Sequence, residues 1–166
     1  MKKPILILLL LALSSQVFSQ VIELKEVIIT AVNYKYLNAV DSEDNSIAVQ
    51  ELQEKAAMFD LKSSEYYNDE YETYNISFYI PDGKILAAYD KNGKLIRTIE
   101  KFKNVKLPTA VSNAIAKRFP NWSMTSDVYK VSFHKDNDAA KKQYKVRLEN
   151  GDQRMKVKLD EKGNFE

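Results

Sequence analysis

Apolar and polar residues alternate over residues 74–80 and again over residues 144–148. Successive side chains of a β-strand point to opposite faces, so this alternation predicts strands that bury one face only. Residues 84–89, 126–133 and 153–159 have a similar strand-like pattern. The dominant element of the chain is therefore expected to be antiparallel sheet with one polar face.

The four glycines of the chain all lie in turn-like contexts. Gly83 and Gly151 each separate two strand-like segments, and Gly93 and Gly163 each follow an aspartate three residues upstream. Glycine adopts the positive φ of tight hairpin turns without steric cost, so these positions predict turns. Their matched order along the chain predicts an internal repeat.

Two segments have the spacing of an amphipathic helix, with apolar residues three and four positions apart. The first apolar stripe consists of Val49, Leu52, Ala56 and Phe59, and the second of Val111, Ala114, Ile115 and Phe119. Asn45 or Ser46 is suited to cap the first helix. Pro108 is suited to the first turn of the second helix, which Pro120 ends.

These patterns predict an α+β fold, built as a tandem repeat of a helix plus a three- to four-stranded antiparallel sheet. The helices are expected to pack on one sheet face. The two units are expected to pack as a single body, because one helix covers a small sheet poorly. The expected organisation is a signal peptide over residues 1–19, an N-terminal extended segment over 20–44, and repeats over 45–106 and 107–166.

The first 19 residues have the three parts of a secretory signal peptide. Lys2 and Lys3 are basic, residues 5–13 are apolar without interruption, and residues 17–19 form a cleavage site before Gln20. The apolar run is shorter than the roughly 20 residues that a membrane-spanning helix needs. We therefore expect an exported protein, periplasmic or secreted, that has no membrane span after cleavage.

Charge divides the chain into two unlike halves. Without Lys2 and Lys3, basic and acidic residues number 23 each, but residues 20–100 have net charge −7 and residues 101–166 have net charge +7. The two halves attract each other, or the second half presents a basic surface to an acidic partner; both interpretations stay open here. The neutral total predicts that nucleic acid is not the partner.

The sequence contains few of the residues that catalysis needs, so we predict that the protein is not an enzyme. It has no cysteine, and His134 is its only histidine, which leaves no thiol nucleophile, transition-metal site or serine–histidine pair. The glycines do not form a phosphate-binding loop. Residues 41–45, 90–93 and 136–138 are rich in oxygen ligands but lack the spacing of a calcium loop. We predict no catalytic residue, no metal and no cofactor.

Three segments of the second half, residues 107–111, 114–120 and 157–165, contain a Leu-Pro start, a Phe-Pro helix end and an Asp-x-x-Gly turn. Together they resemble the PepSY-like, or β-lactamase-inhibitor-like, family of exported Bacteroidetes-type proteins. The resemblance covers residues 107–166 well and 47–100 more loosely. It implies helices on one side of a curved antiparallel sheet and a protein-binding or regulatory role.

Alternation also predicts which residues the open sheet face presents, because the neighbours of inward apolar residues point outward. A basic face is ordinary for a solvated sheet, but arginine beside aromatic rings is common at interfaces, and both interpretations remain. The candidate partner-binding residues are Lys130, Lys145, Arg147, Arg154, Lys156, Lys158, Tyr79, Tyr89 and Trp122.

The function expected from these observations is an exported, non-catalytic binding or regulatory module that engages a protein or an acidic envelope component through its open, basic sheet face. The alternative is a small-molecule or cation-binding periplasmic protein with a site between the two repeats, close to Tyr89 and Trp122.

Overall fold

A computed structural model describes residues 31–42 and 45–166 of the chain. The predicted signal peptide and residues 20–30 lie outside the described residues. The helices are α1 (Ala31–Val40), α2 (Ile47–Ala57) and α3 (Thr109–Arg118). The strands are β1 (Thr73–Ile80), β2 (Gly83–Asp90), β3 (Leu95–Lys103), β4 (Ser123–His134), β5 (Lys141–Asn150) and β6 (Gln153–Leu159).

The six strands form one antiparallel sheet in the order β1-β2-β3-β4-β5-β6. Residues 97–103 of β3 pair with residues 128–134 of β4, which joins the sheet across the boundary expected near residue 106. The prediction of a tandem repeat of a helix plus a three- to four-stranded sheet is therefore wrong, because all six strands belong to one sheet. A continuous ladder between β3 and β4 satisfies backbone groups that two separate sheets would leave at exposed edges.

Helix α1 occupies part of the segment that was expected to be extended. Its Asn33 side chain donates a 2.6 Å hydrogen bond to the carbonyl of Ala57 at the end of α2, and accepts a 3.2 Å bond from the backbone N–H of Leu95 in β3. Tyr36 and Val40 of α1 are buried. Helix α1 is therefore fastened both to α2 and to the middle of the sheet.

The helices cover one face of the sheet and form a single core with it. Val49, Leu52 and Ala56 of the apolar stripe predicted for α2 are buried, whereas Phe59 lies beyond the end of the helix and packs edge-on against Phe78 of β1. Helix α3 begins at Thr109, with Pro108 as its N-cap residue rather than in its first turn, and it buries Val111 and Ile115 in the same core. Within residues 31–42 and 45–166, no helix covers the opposite face of the sheet.

The turn at residues 160–163 fits closely against α3. The Asn164 side chain donates a 2.8 Å hydrogen bond to one carboxylate oxygen of Asp160, and the backbone N–H groups of Lys162 and Asn164 donate 2.9 Å bonds to the other. The Asn164 side-chain bond, followed by the backbone bonds, lowers the pKa of Asp160. Gly163 has φ +84°, and a Cβ atom placed on it would lie 2.7 Å from the carbonyl oxygen of Ala110. Glycine is thus required there for its conformation and for the close approach of α3.

We expect Gly163→Ala to destabilise the protein by about 3 kcal/mol. An alanine there is strained by the positive φ, and its Cβ overlaps with α3. Gly151→Ala is the matched control: Gly151 has φ +57° with no atom within 4 Å of an added Cβ, so its replacement should cost only about 1 kcal/mol. Urea denaturation of the two variants measures the difference. Equal losses would show that the contact with Ala110 relaxes at no cost.

Candidate binding face

The register of the strands determines which side chains point away from the helices. Phe78, Ile85, Glu100, Val131 and Lys142 are cross-strand neighbours on the helix-covered face. The residues between them along each strand therefore point to the uncovered face, which we call the outer face.

The outer face is strongly basic. Eleven of its strand positions are lysine or arginine, ten of them exposed and Lys145 half-buried. These residues are Lys84, Arg97, Lys101, Lys103, Lys130, Lys141, Lys145, Arg147, Arg154, Lys156 and Lys158. They come from five of the six strands, so the positive charge extends over most of the width of the sheet.

Several of these residues stand directly opposite another positive charge. Lys101 faces Lys84 on one side and Lys130 on the other. Between β5 and β6, Lys145 faces Lys158 and Arg147 faces Lys156. Lys103 continues the same surface, since it faces Val128, which in turn faces Lys145. We call these eight residues the basic band: Lys84, Lys101, Lys103, Lys130, Lys145, Arg147, Lys156 and Lys158.

Carboxylates lie only at the margins of the outer face within the described residues. Glu149 pairs with Arg154 at 3.5 Å, and Glu166 accepts a hydrogen bond from Gln143. Asp90 accepts two backbone hydrogen bonds of 2.9 Å within its own turn. No residue of the basic band forms an ion pair within the part of the chain that the structure describes.

A groove of about 380 Å³ lies on the outer face over strands β2 to β5. Leu86 and Ile99, which face each other across β2 and β3, are 40% and 57% exposed and form its apolar part. Ser132 faces Ile99 on the other side and is short, so it leaves space beside the isoleucine. The groove is bordered by four lysines, Lys84, Lys101, Lys130 and Lys141. It combines an apolar surface with amino groups that donate hydrogen bonds to anions.

The structure places seven of the nine candidate residues on the outer face: Lys130, Lys145, Arg147, Arg154, Lys156, Lys158 and Tyr79. Tyr79 is 67% exposed and faces Lys84 from the edge strand β1.

Tyr89 and Trp122 do not belong to this surface. Tyr89 is fully buried on the helix-covered face, where its hydroxyl donates a 2.6 Å hydrogen bond to the carbonyl of Ala56 and burial raises its pKa. Trp122 is half-buried and packs edge-on against Phe119 at the end of α3. The structure therefore places neither residue on the outer face, and Tyr89 has no exposed surface to offer a small ligand.

Sequence reasoning missed the part of the outer face that β2 and β3 supply. The missed residues are Lys84, Leu86, Arg97, Ile99, Lys101, Lys103 and, in β5, Lys141. A usable signal was present, because Arg97, Ile99, Lys101 and Lys103 alternate with the buried Thr98, Glu100 and Phe102. Alternation assigns them to one face, but only the pairing of β3 with β4 brings them beside Lys130.

A buried carboxylate lies on the opposite face of β3. Glu100 is 1% exposed and accepts hydrogen bonds from Tyr36 (2.9 Å), Thr98 (2.7 Å) and Gln53 (2.8 Å). Burial raises the pKa of Glu100, while its three donors and the nearby Lys142 oppose that shift. All three donors belong to α1, α2 or β3, so the carboxylate holds both helices on the sheet. We assign it a structural role.

No protein-family model matches the chain, and neither does any curated protein. The described residues contain no cluster of three or more side chains suited to hold a metal ion. No helix within residues 31–42 and 45–166 has the length and apolarity to cross a membrane. The resemblance to the PepSY-like family stays a prediction.

Proposed function

We propose that the protein is an exported, non-catalytic binding module that engages an acidic protein or envelope component through the basic band. The observation that supports this proposal best is the arrangement of like charges directly opposite each other, namely Lys84–Lys101–Lys130, Lys145–Lys158 and Arg147–Lys156.

Such an arrangement is unfavourable for the sheet itself. Like charges directly opposite on neighbouring strands destabilise a sheet, whereas opposite charges at the same positions stabilise it. Since the band has no ion-pair partners among the described residues, this repulsion is not offset within that part of the chain. An acidic partner would offset it on binding, and the positive field would also speed the encounter.

The composition of the band favours a protein or another envelope polyanion over nucleic acid. Seven of its eight residues are lysines and one is arginine, and aromatic rings are absent from it. Proteins that bind single strands of nucleic acid normally stack the bases on aromatic side chains. Among the described residues, Tyr79 at the edge of the sheet is the one exposed ring that faces the band. Lysine ammonium groups interact with an acidic polymer as point charges, whereas the planar guanidinium of arginine is suited to bidentate pairing with carboxylates and phosphates.

The proposal predicts that a fourfold variant of the band binds a fluorescent oligoglutamate at least tenfold more weakly than the wild type. This variant combines Lys145→Glu, Arg147→Glu, Lys156→Glu and Lys158→Glu. Reversing four charges removes attraction and adds repulsion. Wild-type affinity should also fall as salt rises, since screening shortens the reach of exposed charges to about 8 Å at physiological ionic strength. Fluorescence anisotropy at several salt concentrations measures both effects, and affinity capture from envelope extract identifies the natural partner.

The control variant makes the same change in net charge elsewhere, with Lys35→Glu, Lys55→Glu, Lys62→Glu and Lys117→Glu. Three of these residues lie on the helices, and Lys62 lies in the segment that follows α2. We expect this variant to retain most of the wild-type affinity. If both variants lose affinity equally, net charge rather than the band controls binding. Unchanged capture of the same partners by the band variant contradicts the proposal.

A further inference from the structure

We infer that the groove on the outer face recognises an extended acidic segment of a partner protein in which one large apolar side chain precedes or follows two acidic ones at two-residue intervals. This inference rests on the proposed function and specifies the partner chemistry at one part of the same face.

The outward side chains of β3 present an ordered series. Ile99, Lys101 and Lys103 follow one another at alternate positions of the strand. Leu86 faces Ile99 from β2, and Lys84 and Lys130 face Lys101 from β2 and β4. The surface is therefore apolar at one end of this series and carries four positive charges beyond it.

The spacing of this series matches an extended peptide. Alternate residues of a strand lie about 6.6 Å apart, and alternate side chains of an extended peptide repeat at the same distance. A segment that lies along β3 therefore sets its first, third and fifth side chains over Ile99, Lys101 and Lys103. The second and fourth side chains point away from the groove, so the sequence is read in steps of two.

Leu86 and Ile99 are exposed enough for an apolar side chain of a partner to bury them. Ile99 is 57% exposed and Leu86 40% exposed, and they are adjacent in a groove of about 380 Å³ that contains room beside Ser132. Burying apolar area yields about 25 cal/mol per Å², so a leucine or phenylalanine seated there adds affinity that charge alone does not give. The lysines around it then fix the position of the acidic side chains.

The shape of the site favours a single peptide over a lipid surface. Leu86 and Ile99 are shorter than the lysines around them, and they line a groove rather than a protruding edge. A flat layer of headgroups meets the lysine ammonium groups first, whereas an extended chain enters between them. Charge complementarity and the two-residue step therefore support an acidic protein segment as the occupant.

The test uses four fluorescent heptapeptides with the purified protein. Two leucine peptides, Ser-Leu-Ser-Glu-Ser-Glu-Ser and its reverse, cover both chain directions. The serine peptide replaces leucine by serine, and the shifted peptide, Ser-Ser-Leu-Glu-Ser-Glu-Ser, moves leucine to the opposite side of the extended chain. We expect one leucine peptide to bind about tenfold tighter than the serine and shifted peptides, which is about 1.4 kcal/mol.

The matched variant is Leu86→Thr with Ile99→Thr, which removes the apolar surface and places a β-branched residue suited to a strand at both positions. It should abolish the preference for leucine and leave binding of the serine peptide within twofold. Circular dichroism confirms that the variant is folded. Vesicles containing an anionic phospholipid form a further arm, which should not respond to this double substitution.

The outcomes separate the two proposals. If the acidic peptides bind through the basic band but leucine gives no preference, or if the shifted peptide binds as well as the leucine peptide, the inference about the groove is wrong and the proposed function stands. If Leu86 and Ile99 affect vesicle binding alone, a lipid surface replaces the peptide. If no acidic probe binds, the proposed function itself is contradicted.

Discussion

Replacing Glu100 by leucine is expected to destabilise the protein by about 3 kcal/mol, because three buried hydrogen-bond donors then lose their acceptor. The donors are the hydroxyls of Tyr36 and Thr98 and the side-chain amide of Gln53. They connect α1, β3 and α2, so the loss should loosen both helices rather than one side chain. Urea denaturation followed by circular dichroism measures the change in free energy of unfolding.

Glu100→Gln is the matched substitution, since it keeps the size of the side chain and one oxygen acceptor while removing the charge. The amide of Gln53 can rotate to present its oxygen to the new NH₂ group, so hydrogen bonding is largely retained. We therefore expect a much smaller loss than with leucine. A glutamine variant as unstable as the leucine variant would show that the carboxylate charge, not hydrogen bonding, holds the helices.

The glutamine variant should also change how stability depends on pH. Burial raises the pKa of Glu100 in the folded protein above its value in the unfolded chain. Over the pH range between these two values the unfolded chain binds fewer protons than the folded protein, so stability falls as pH rises through that range. The contribution of Glu100 to stability is greatest below its unfolded-state pKa of about 4.3, and it no longer changes with pH above its folded-state pKa.

The effect of Glu100 is isolated by subtracting the wild-type free energy of unfolding from that of the Glu100→Gln variant at each pH. Other titrating groups contribute equally to both proteins and cancel. One of them is Asp127, whose pKa is also raised by burial. We expect the stability of the Glu100→Gln variant, relative to that of the wild type, to increase as the pH rises from 4 through the folded-state pKa of Glu100. A flat difference between pH 4 and pH 8 would mean that Glu100 has an ordinary pKa despite its burial.

Local pattern was sufficient to predict much of the sheet and two of the helices. Alternation identified β1 and β5 and their buried sides, because a strand that buries one face places its apolar residues at every second position. The spacing of Val49, Leu52 and Ala56 identified α2 in the same way. Lys145, Arg147, Lys156 and Lys158 were assigned to the outer face by that same rule, and the register agrees.

What local pattern did not supply was the partner of each strand. The joining of β3 to β4 depends on contacts between residues about 30 positions apart, and it determines that one sheet forms. For the same reason Lys84 and Lys101 were not recognised as neighbours of Lys130. Tyr89 is a different case, because it shares the parity of Ile85 and Ala87 in β2, and alternation alone places it in the core.

Binding and stability should respond in opposite directions to charge reversal on β5. In the wild type, Lys145 and Arg147 face Lys158 and Lys156 on β6. Lys145→Glu with Arg147→Glu converts two repulsive cross-strand pairs into attractive ones, which should stabilise the sheet by about 1 kcal/mol at low salt. The same change should weaken binding of oligoglutamate, because two positive charges of the band become negative.

A further step distinguishes pair interactions from a general effect of glutamate. Adding Lys156→Glu and Lys158→Glu makes the facing pairs alike again, now both negative. Stability should then fall back toward that of the wild type, while affinity for oligoglutamate falls further. High salt should reduce the stability differences within the series, since all four positions contact solvent.

This series tests whether the positive charges of β5 and β6 are maintained at the expense of the sheet. Stability that rises and then falls, alongside affinity that only falls, indicates that the like-charged pairs cost folding free energy and that binding gains from them. If stability is the same in all three proteins, the exposed side chains avoid one another through solvent and the repulsion is negligible. Stability–function trade-offs of this kind are common at binding surfaces, where residues are retained for the partner rather than for the fold.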